Sequence, residues 1–311
     1  MHTSNARAAF QDLTLLERGW LSSNNIVLHG DGGGAVLIDS SHCLHAQQTV
    51  ALVSHALGPE PLARLVNTHL HSDHCGGNAA IQQHWACRVS VPLGQFEAAR
   101  HWREDDLSFL ATGQQCERFV PDDSIQPGDV IRAGQRGWHV LASPGHDPHS
   151  LILFDPTHGV LISADALWEN GFGVAFPELD GEDAFSGVAQ TLDLIESLGA
   201  QWCIPGHGAA FSDLAGALAR ARQRLAGFVA DPQRHARHAA RLLVKYHLME
   251  VQQESLQAFA AWLESSPTFH AAWKVLGRPQ GDLAAFGLST ANDLVGSGAL
   301  RLQGEVLLDA P

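Results

Sequence analysis

Thr68-His69-Leu70-His71-Ser72-Asp73-His74-Cys75-Gly76-Gly77-Asn78 places four side chains able to bind a metal, His69, His71, Asp73 and His74, within six positions. Neutral imidazoles are good donors to zinc and iron, and a carboxylate among them adds an oxygen donor that offsets cationic charge. In an extended loop alternate residues point the same way, so His69 and His71 can serve one ion while Asp73 and His74 turn toward a second. Gly76 and Gly77 follow where the chain must turn sharply or begin a helix. A chain with 19 histidines contains some close pairs by accident, and an exposed histidine usually does no more than titrate. Packing is a poor explanation for an HxHxDH run followed by two glycines, because clustered His and Asp mark metal or catalytic sites.

Working outward, a short strand at residues 65–67 delivers this loop, and residues 78–84 begin a helix after it. Upstream, apolar runs at 25–29 and 35–39 flank Gly30-Asp31-Gly32-Gly33-Gly34, the pattern of an antiparallel hairpin with a glycine turn. Residues 46–57 read as a helix stopped by Gly58-Pro59, and residues 93–102 as another. Downstream, residues 129–131, 138–142, 150–154 and 160–165 read as strands, 184–198 as a helix and 202–204 as a last strand. Three apolar strands finish on a residue that can bind metal: His146, Asp165 and His207. Strand ends can converge from distant sequence positions onto one sheet edge, which is how folds assemble sites.

Through Thr68-His69-Leu70-His71-Ser72-Asp73-His74, Pro144-Gly145-His146, Ser163-Ala164-Asp165 and Pro205-Gly206-His207-Gly208, in that order, the chain resembles the metallo-β-lactamase fold superfamily over about residues 10–212. The resemblance implies an α/β fold, an αββα sandwich with two sheets between helical layers. It implies His69, His71 and His146 on one metal ion, Asp73, His74 and His207 on a second, and Asp165 bridging the two. The expected cofactor is therefore a pair of divalent ions, zinc first, with iron and manganese also suited to His/Asp sites. Two such ions, about 3.5 to 4 Å apart, lower the pKa of a bridging water toward neutrality. The expected activity is that of a binuclear hydrolase using metal-bound hydroxide. Asp73 is the expected catalytic residue, orienting the hydroxide and passing a proton to the leaving group.

After Asp165 comes Ala166-Leu167-Trp168-Glu169-Asn170-Gly171-Phe172, aromatics and glycines placed to wall a cleft. Trp168, Phe172 and His149 are the expected substrate contacts, and an apolar wall suits a small ester, lactone or thioester. Asp39, at the end of its strand, is a candidate to hydrogen-bond a ligand histidine. Cys75 reads as a small buried thiol. Glyoxalase II is an obvious comparison within the superfamily, but no glutathione-binding pattern is evident near the C-terminus.

The 311 residues carry a formal charge of −14, with 24 acidic and 9 basic residues over 1–212 against 9 and 10 over 213–311. An acidic first region argues against a nucleic-acid partner, since that affinity rests on cationic phosphate contacts. A nuclease of the same fold, holding RNA on a basic helical face of Arg234, His235, Arg237, His238, Arg241 and Lys245, is the alternative that this charge disfavours. A mononuclear iron oxygenase acting on a sulfur substrate is a second alternative, disfavoured by the complete second ligand set. Five cysteines without a CxxC pair read as reduced thiols, which makes the cytoplasm the expected compartment. Residues 1–20 lack a hydrophobic signal core, and no run approaches the roughly 20 apolar residues that span a bilayer, so no membrane association is expected.

Two domains are expected, 1–212 catalytic and 213–311 a C-terminal helical extension. The extension reads as helices at 213–227, 234–249, 252–264 and 289–295 before a hairpin of 300–302 with 305–308, resembling a winged helix. It is placed to cap the cleft or to mediate a homodimer.

Overall fold

The computed structural model describes residues 8–310; the first seven residues of the stretch read above for a signal core, and residue 311, lie outside them. The chain runs through β1 (Leu13–Leu16), β2 (Asn25–Leu28), β3 (Ala35–Ile38), α1 (Ala46–Leu57), β4 (Leu62–Val66), α2 (Ser72–Cys75), α3 (Asn78–His84), β5 (Arg88–Pro92), α4 (Leu93–His101), α5 (Ser108–Thr112) and β6 (Asp123–Ile125). Its strands pair in the order β1-β2-β3-β4-β5-β6, antiparallel up to β3 and parallel beyond it. The glycine turn does join an antiparallel pair, with Ile26 opposite Ile38.

A second sheet takes β7 (Val130–Ala133), β8 (Arg136–Ala142), β9 (Leu151–Asp155), β10 (Val160–Ala164) and, after α6 (Ala184–Leu198), β11 (Trp202–Pro205). Its order is β11-β10-β9-β8-β7. Only β10 and β11 run parallel, because α6 supplies the crossover that a parallel pair needs.

Alternation along the strands explains the layering. Ile26 and Leu28 of β2 meet Trp138, Val140, Leu153 and Ile162 in a core between the sheets. Val27, Leu37 and Leu65 face the other way, onto Val53 of α1 and Ile81 of α3. From the second sheet, Ile152, Leu161 and Cys203 pack outward on Phe185, Val188 and Leu192 of α6. With both faces of both sheets buried, the result is the expected αββα sandwich.

The C-terminal part comprises α7 (Leu214–Ala230), α8 (Pro232–Val251), β12 (Gln253–Ser255), α9 (Leu256–Ser265), α10 (Pro267–Val275), α11 (Leu283–Gly296), β13 (Leu300–Gln303) and β14 (Val306–Asp309). Asp213 caps α7 by accepting from the Gly216 amide at 3.0 Å, and Asp231 caps α8 by accepting from the Arg234 amide at 3.1 Å. The terminal hairpin is present and β12 joins it in a sheet of order β12-β14-β13. Neither β12 nor α10 is among the expected elements. Strand β12 exists through its pairing with β14, which delays the expected helix at 252 until Ser255 caps it.

Packing does not change at residue 213. Leu218, Leu225 and Phe228 of α7 share a core with α6, whereas Leu243, Val244 and Leu248 of α8 enter a separate core with Phe259, Leu263 and Phe269. The expected basic face of α8 is divided: Arg234 and Arg237 are exposed, His235 is buried against Phe185 and Phe228, and Lys245 pairs with Asp309 at 2.5 Å. No helix of the described residues is long and apolar enough to cross a membrane.

Candidate metal centre

Parallel pairing brings the end of β3 beside β4, and that of β10 beside β11, so the loops that follow emerge together. The residues there form two sets, His69, His71 and His146, and Asp73, His74, Asp165 and His207; within each, one potential donor atom per residue lies within 4.8 Å of the others. Asp165 faces both sets. Its Oδ2 is 3.4 Å from His146 Nε2, and its Oδ1 is 3.4 Å from His74 Nε2 and 3.8 Å from His207 Nε2. His207 Nε2 also lies 3.0 Å from Asp73 Oδ2.

Surrounding groups fix which nitrogen His69, His74 and His146 present. His74 Nδ1 donates to Asp39 Oδ2 at 2.7 Å, and His146 Nδ1 donates to the Val174 carbonyl at 2.7 Å. Thr68 Oγ1 donates to Asp39 Oδ2 and lies 3.1 Å from His69 Nδ1, from which it can accept. Nε2 of His74 and of His146 are consequently buried without a hydrogen-bond partner among the described residues. Buried polar atoms are seldom left so. Divalent metal ions fit this donor set: inward-facing imidazole nitrogens, two carboxylates, and a carboxylate behind the His74 ring and a carbonyl behind that of His146, as is usual for metal-binding histidines.

Electrostatics agree with ligands held ready. Burial pushes His71 down to about 4, helped by His146, and holds His69 well below the usual histidine range, helped by His74 and His71. Burial would raise the Asp73 carboxyl, but His74 and His207 outweigh it and hold that group at about 2. Asp165 is likewise held well down, with burial outweighed by His74 and His207. For His74, burial is outweighed by Asp165, Asp39 and Asp73, and the ring is held well above its usual range. A cation among those carboxylates would take the place of that proton.

Backbone shape is just as restrictive. Ala164 has φ +45° immediately before Asp165, a conformation that costs a residue with a Cβ. At Gly206 a Cβ would collide with Asp165 Oδ1 and come within 3.0 Å of His74 Cε1. The N-terminal segment ties the loops together: Asn24 Nδ2 donates to the carbonyls of Pro205 and Gly208 at 2.9 and 2.7 Å, and the Ser23 amide donates to the Asp73 carbonyl at 2.9 Å.

A cavity opens over the site, with His71, Asp73, His146 and Asp165 lining it. Trp168 is on its wall as expected and donates from Nε1 to Asp165 Oδ1 at 3.2 Å. Phe172 is not: it is buried in the core edge-on to Phe228, where an apolar ring without a polar tip is best accommodated. His149 is not on the wall either; it is exposed and packs over Gly94 of α4, its amide bonded to Asp147. Asp39 makes the expected contact with a ligand histidine. Cys75 is buried in neither set, its Sγ 3.8 Å from Cys116 Sγ. All five cysteines are free.

Other residues of the site were not expected. Trp20 stacks on His207 at 5.3 Å between ring centroids, and Asp147, next to His146, lies 3.9 Å from His71 Nε2. Leu242, Leu243 and Tyr246 of α8 complete the wall, so the C-terminal part does cover the cleft. Only the adjacency of Asp147 to His146 was a usable sequence signal.

The profile of the metallo-β-lactamase superfamily matches residues 18–207, and the chain belongs to that superfamily. Among solved structures, a metallo-β-lactamase family protein from Thermus thermophilus is similar with a TM-score of 0.56 and 22% identity, over 96% of this chain and 99% of that one. A β-lactamase domain protein from Burkholderia ambifaria is similar with a TM-score of 0.57 and 20% identity, over 97% and 93%. Among curated proteins, an acyl-coenzyme A thioesterase of Gallus gallus is 28% identical over 48% of this chain and 57% of its own length. A hydroxyacylglutathione hydrolase of Nitrobacter winogradskyi is 32% identical over 37% of this chain and 38% of its own. The chain thus spans about half the length of the curated relatives it matches, or less.

Proposed function

We propose that this protein is a binuclear metal-dependent hydrolase of small acyl thioesters or esters, with zinc as its metal. The observation that carries this reading is Asp165, one oxygen toward each of two ligand sets, on a cavity walled by apolar side chains. Two relatives with thioester-cleaving names support the substrate class.

His69, His71 and His146 would hold one ion, Asp73, His74 and His207 the other, and Asp165 both. Bound there, divalent ions activate water and polarise the bond under attack. The chain's own groups do the rest. Asp39, Thr68 and the Val174 carbonyl hold the imidazoles in the ligating tautomer. Asp73, ionised and on the cavity surface, takes the proton that water gives up and returns it to the leaving thiolate or alkoxide.

Metal analysis of protein purified without chelators, alongside thioester and ester assays, tests the reading. Two equivalents of zinc and chelator-sensitive turnover are expected; one iron and no turnover would sink it in favour of iron chemistry. Asp73→Ala is expected to lower kcat by about a hundredfold or more while the first metal equivalent stays. Equal loss of activity and of that first equivalent would reduce Asp73 to a ligand.

A further inference from the structure

The cavity over the site does not end at the α8 wall. A second, open groove lies outside it, and the two share Trp20, Leu242 and Tyr246. These three side chains, one from the N-terminal segment and two from α8, stand between an inner chamber lined by His71, Asp73, His146 and Asp165 and an outer groove lined mostly by the C-terminal part. A substrate that reaches past them, with its scissile bond at the inner chamber's His and Asp residues, has two portions in two environments.

The inner portion meets apolar surface, with Val174, Phe176 and Leu243 among the lining residues. The outer groove is open to solvent. Charge is what selects there. Among the described residues that line it, the one Lys or Arg is Lys245, whose Nζ is already committed to Asp309 Oδ1 at 2.5 Å, the Ala310 carbonyl at 2.8 Å and the Ala299 carbonyl at 3.0 Å. Arg18, next to the lining Gly19, spends its guanidinium on Asn25, Ser41, Thr49 and Gln48. Phosphate groups are recognised by Arg, Lys or clustered amide donors free to turn to them, and a chain of net charge −14 repels polyanions at long range.

Resting on the hydrolase reading above, we infer that the substrate is a thioester or ester of an apolar acyl group, held in the inner chamber, with an extended leaving group that carries no polyphosphate, held in the outer groove. Water adds to the carbonyl carbon, the C–S or C–O bond breaks, and the products are the carboxylic acid and the protonated thiol or alcohol. A coenzyme A thioester, whose thiol portion bears phosphates, is the wrong substrate on this reading.

The experiment compares, on the zinc-loaded protein, acetyl to octanoyl thioesters of N-acetylcysteamine with the same acyl groups on coenzyme A. For the N-acetylcysteamine series, kcat/KM is expected to climb about threefold per methylene until the chamber is full, and to exceed that of each coenzyme A partner by about tenfold or more. Phe176→Ala should move the optimum to a longer chain. Met249→Arg, which places a cation in the outer groove, should raise kcat/KM for each coenzyme A thioester about fivefold relative to its N-acetylcysteamine partner. Uncleavable thioether analogues give a reading independent of turnover: the neutral one should perturb tryptophan fluorescence at lower concentration than its coenzyme A counterpart. A preference for coenzyme A, or indifference to chain length, would overturn the inference while leaving a hydrolase. Failure to cleave any ester or thioester would overturn the hydrolase reading and this inference with it.

Discussion

The ligand loops and the α8 wall enclose the same space but are built by opposite means. Each loop is over-determined. His74 is held by Asp39, its carbonyl accepts from Asn67 Nδ2 at 3.1 Å, and the His207 turn is pinned through Asn24. Such polar networks tolerate one arrangement, and an error in one bond strands buried groups in the rest. The α8 wall is Leu242, Leu243 and Tyr246, set by packing of the helix on its own core. Shape and volume matter there more than direction. One region therefore fixes chemistry, and the other leaves room for specificity to drift.

Substitutions should separate the two. The largest effect is expected from Gly206→Ala, since its Cβ has no place between Asp165 and His74. Metal analysis should show loss of the second equivalent, and activity should fall by about a hundredfold or more; a fully loaded, active variant would mean the loops are looser than drawn. Asp39→Ala should weaken metal affinity about 10- to 100-fold, read by competition with a chromophoric chelator. On the other side, Leu243→Ala should cost about 2 to 5 kcal/mol in denaturant unfolding with metal content intact. Loss of metal in that variant would erase the distinction.

One buried contact joins the regions, His42 after β3 and Glu250 of α8, with His42 Nε2 3.6 Å from Glu250 Oε2. Burial would lower His42, but Cys43 and Glu250 outweigh it and raise the ring to about 9. The folded protein therefore keeps a proton that the unfolded chain releases near pH 6.5. That contribution to stability, on the order of 1 to 3 kcal/mol, is fully present below pH 6.5 and lost as pH rises through 9. Glu250→Gln should flatten the pH dependence of unfolding across that window; an unchanged slope would place its origin elsewhere.

The same contrast governs what the sequence disclosed. His69, His71, Asp73 and His74 are legible because their spacing is itself the geometry, and His146, Asp165 and His207 because each lies in the loop that follows a strand. The apolar runs that form β2, β3, β9 and β10 were equally plain. Tyr246 and Leu242 carry no such mark. They lie four apart on one helical face, but which core that face meets depends on contacts across the chain. Trp168 and Phe172 show the limit within one loop: both are aromatic, and Phe172 turns inward into a core whose members, Phe228 among them, come from distant parts of the chain. Strand β12, three residues without alternation, appears only because β14 is there to pair with it.

Asp165 carries a last consequence. Because its two oxygens face different residue sets, an ion held by one set would fix the angle at which the carboxylate meets the other. Two binding equilibria would then be linked, and whatever a first ion did for a second, the second would do equally for the first. Loading would be a property of the pair, and molecules starved of metal would not divide statistically among empty, half-filled and full.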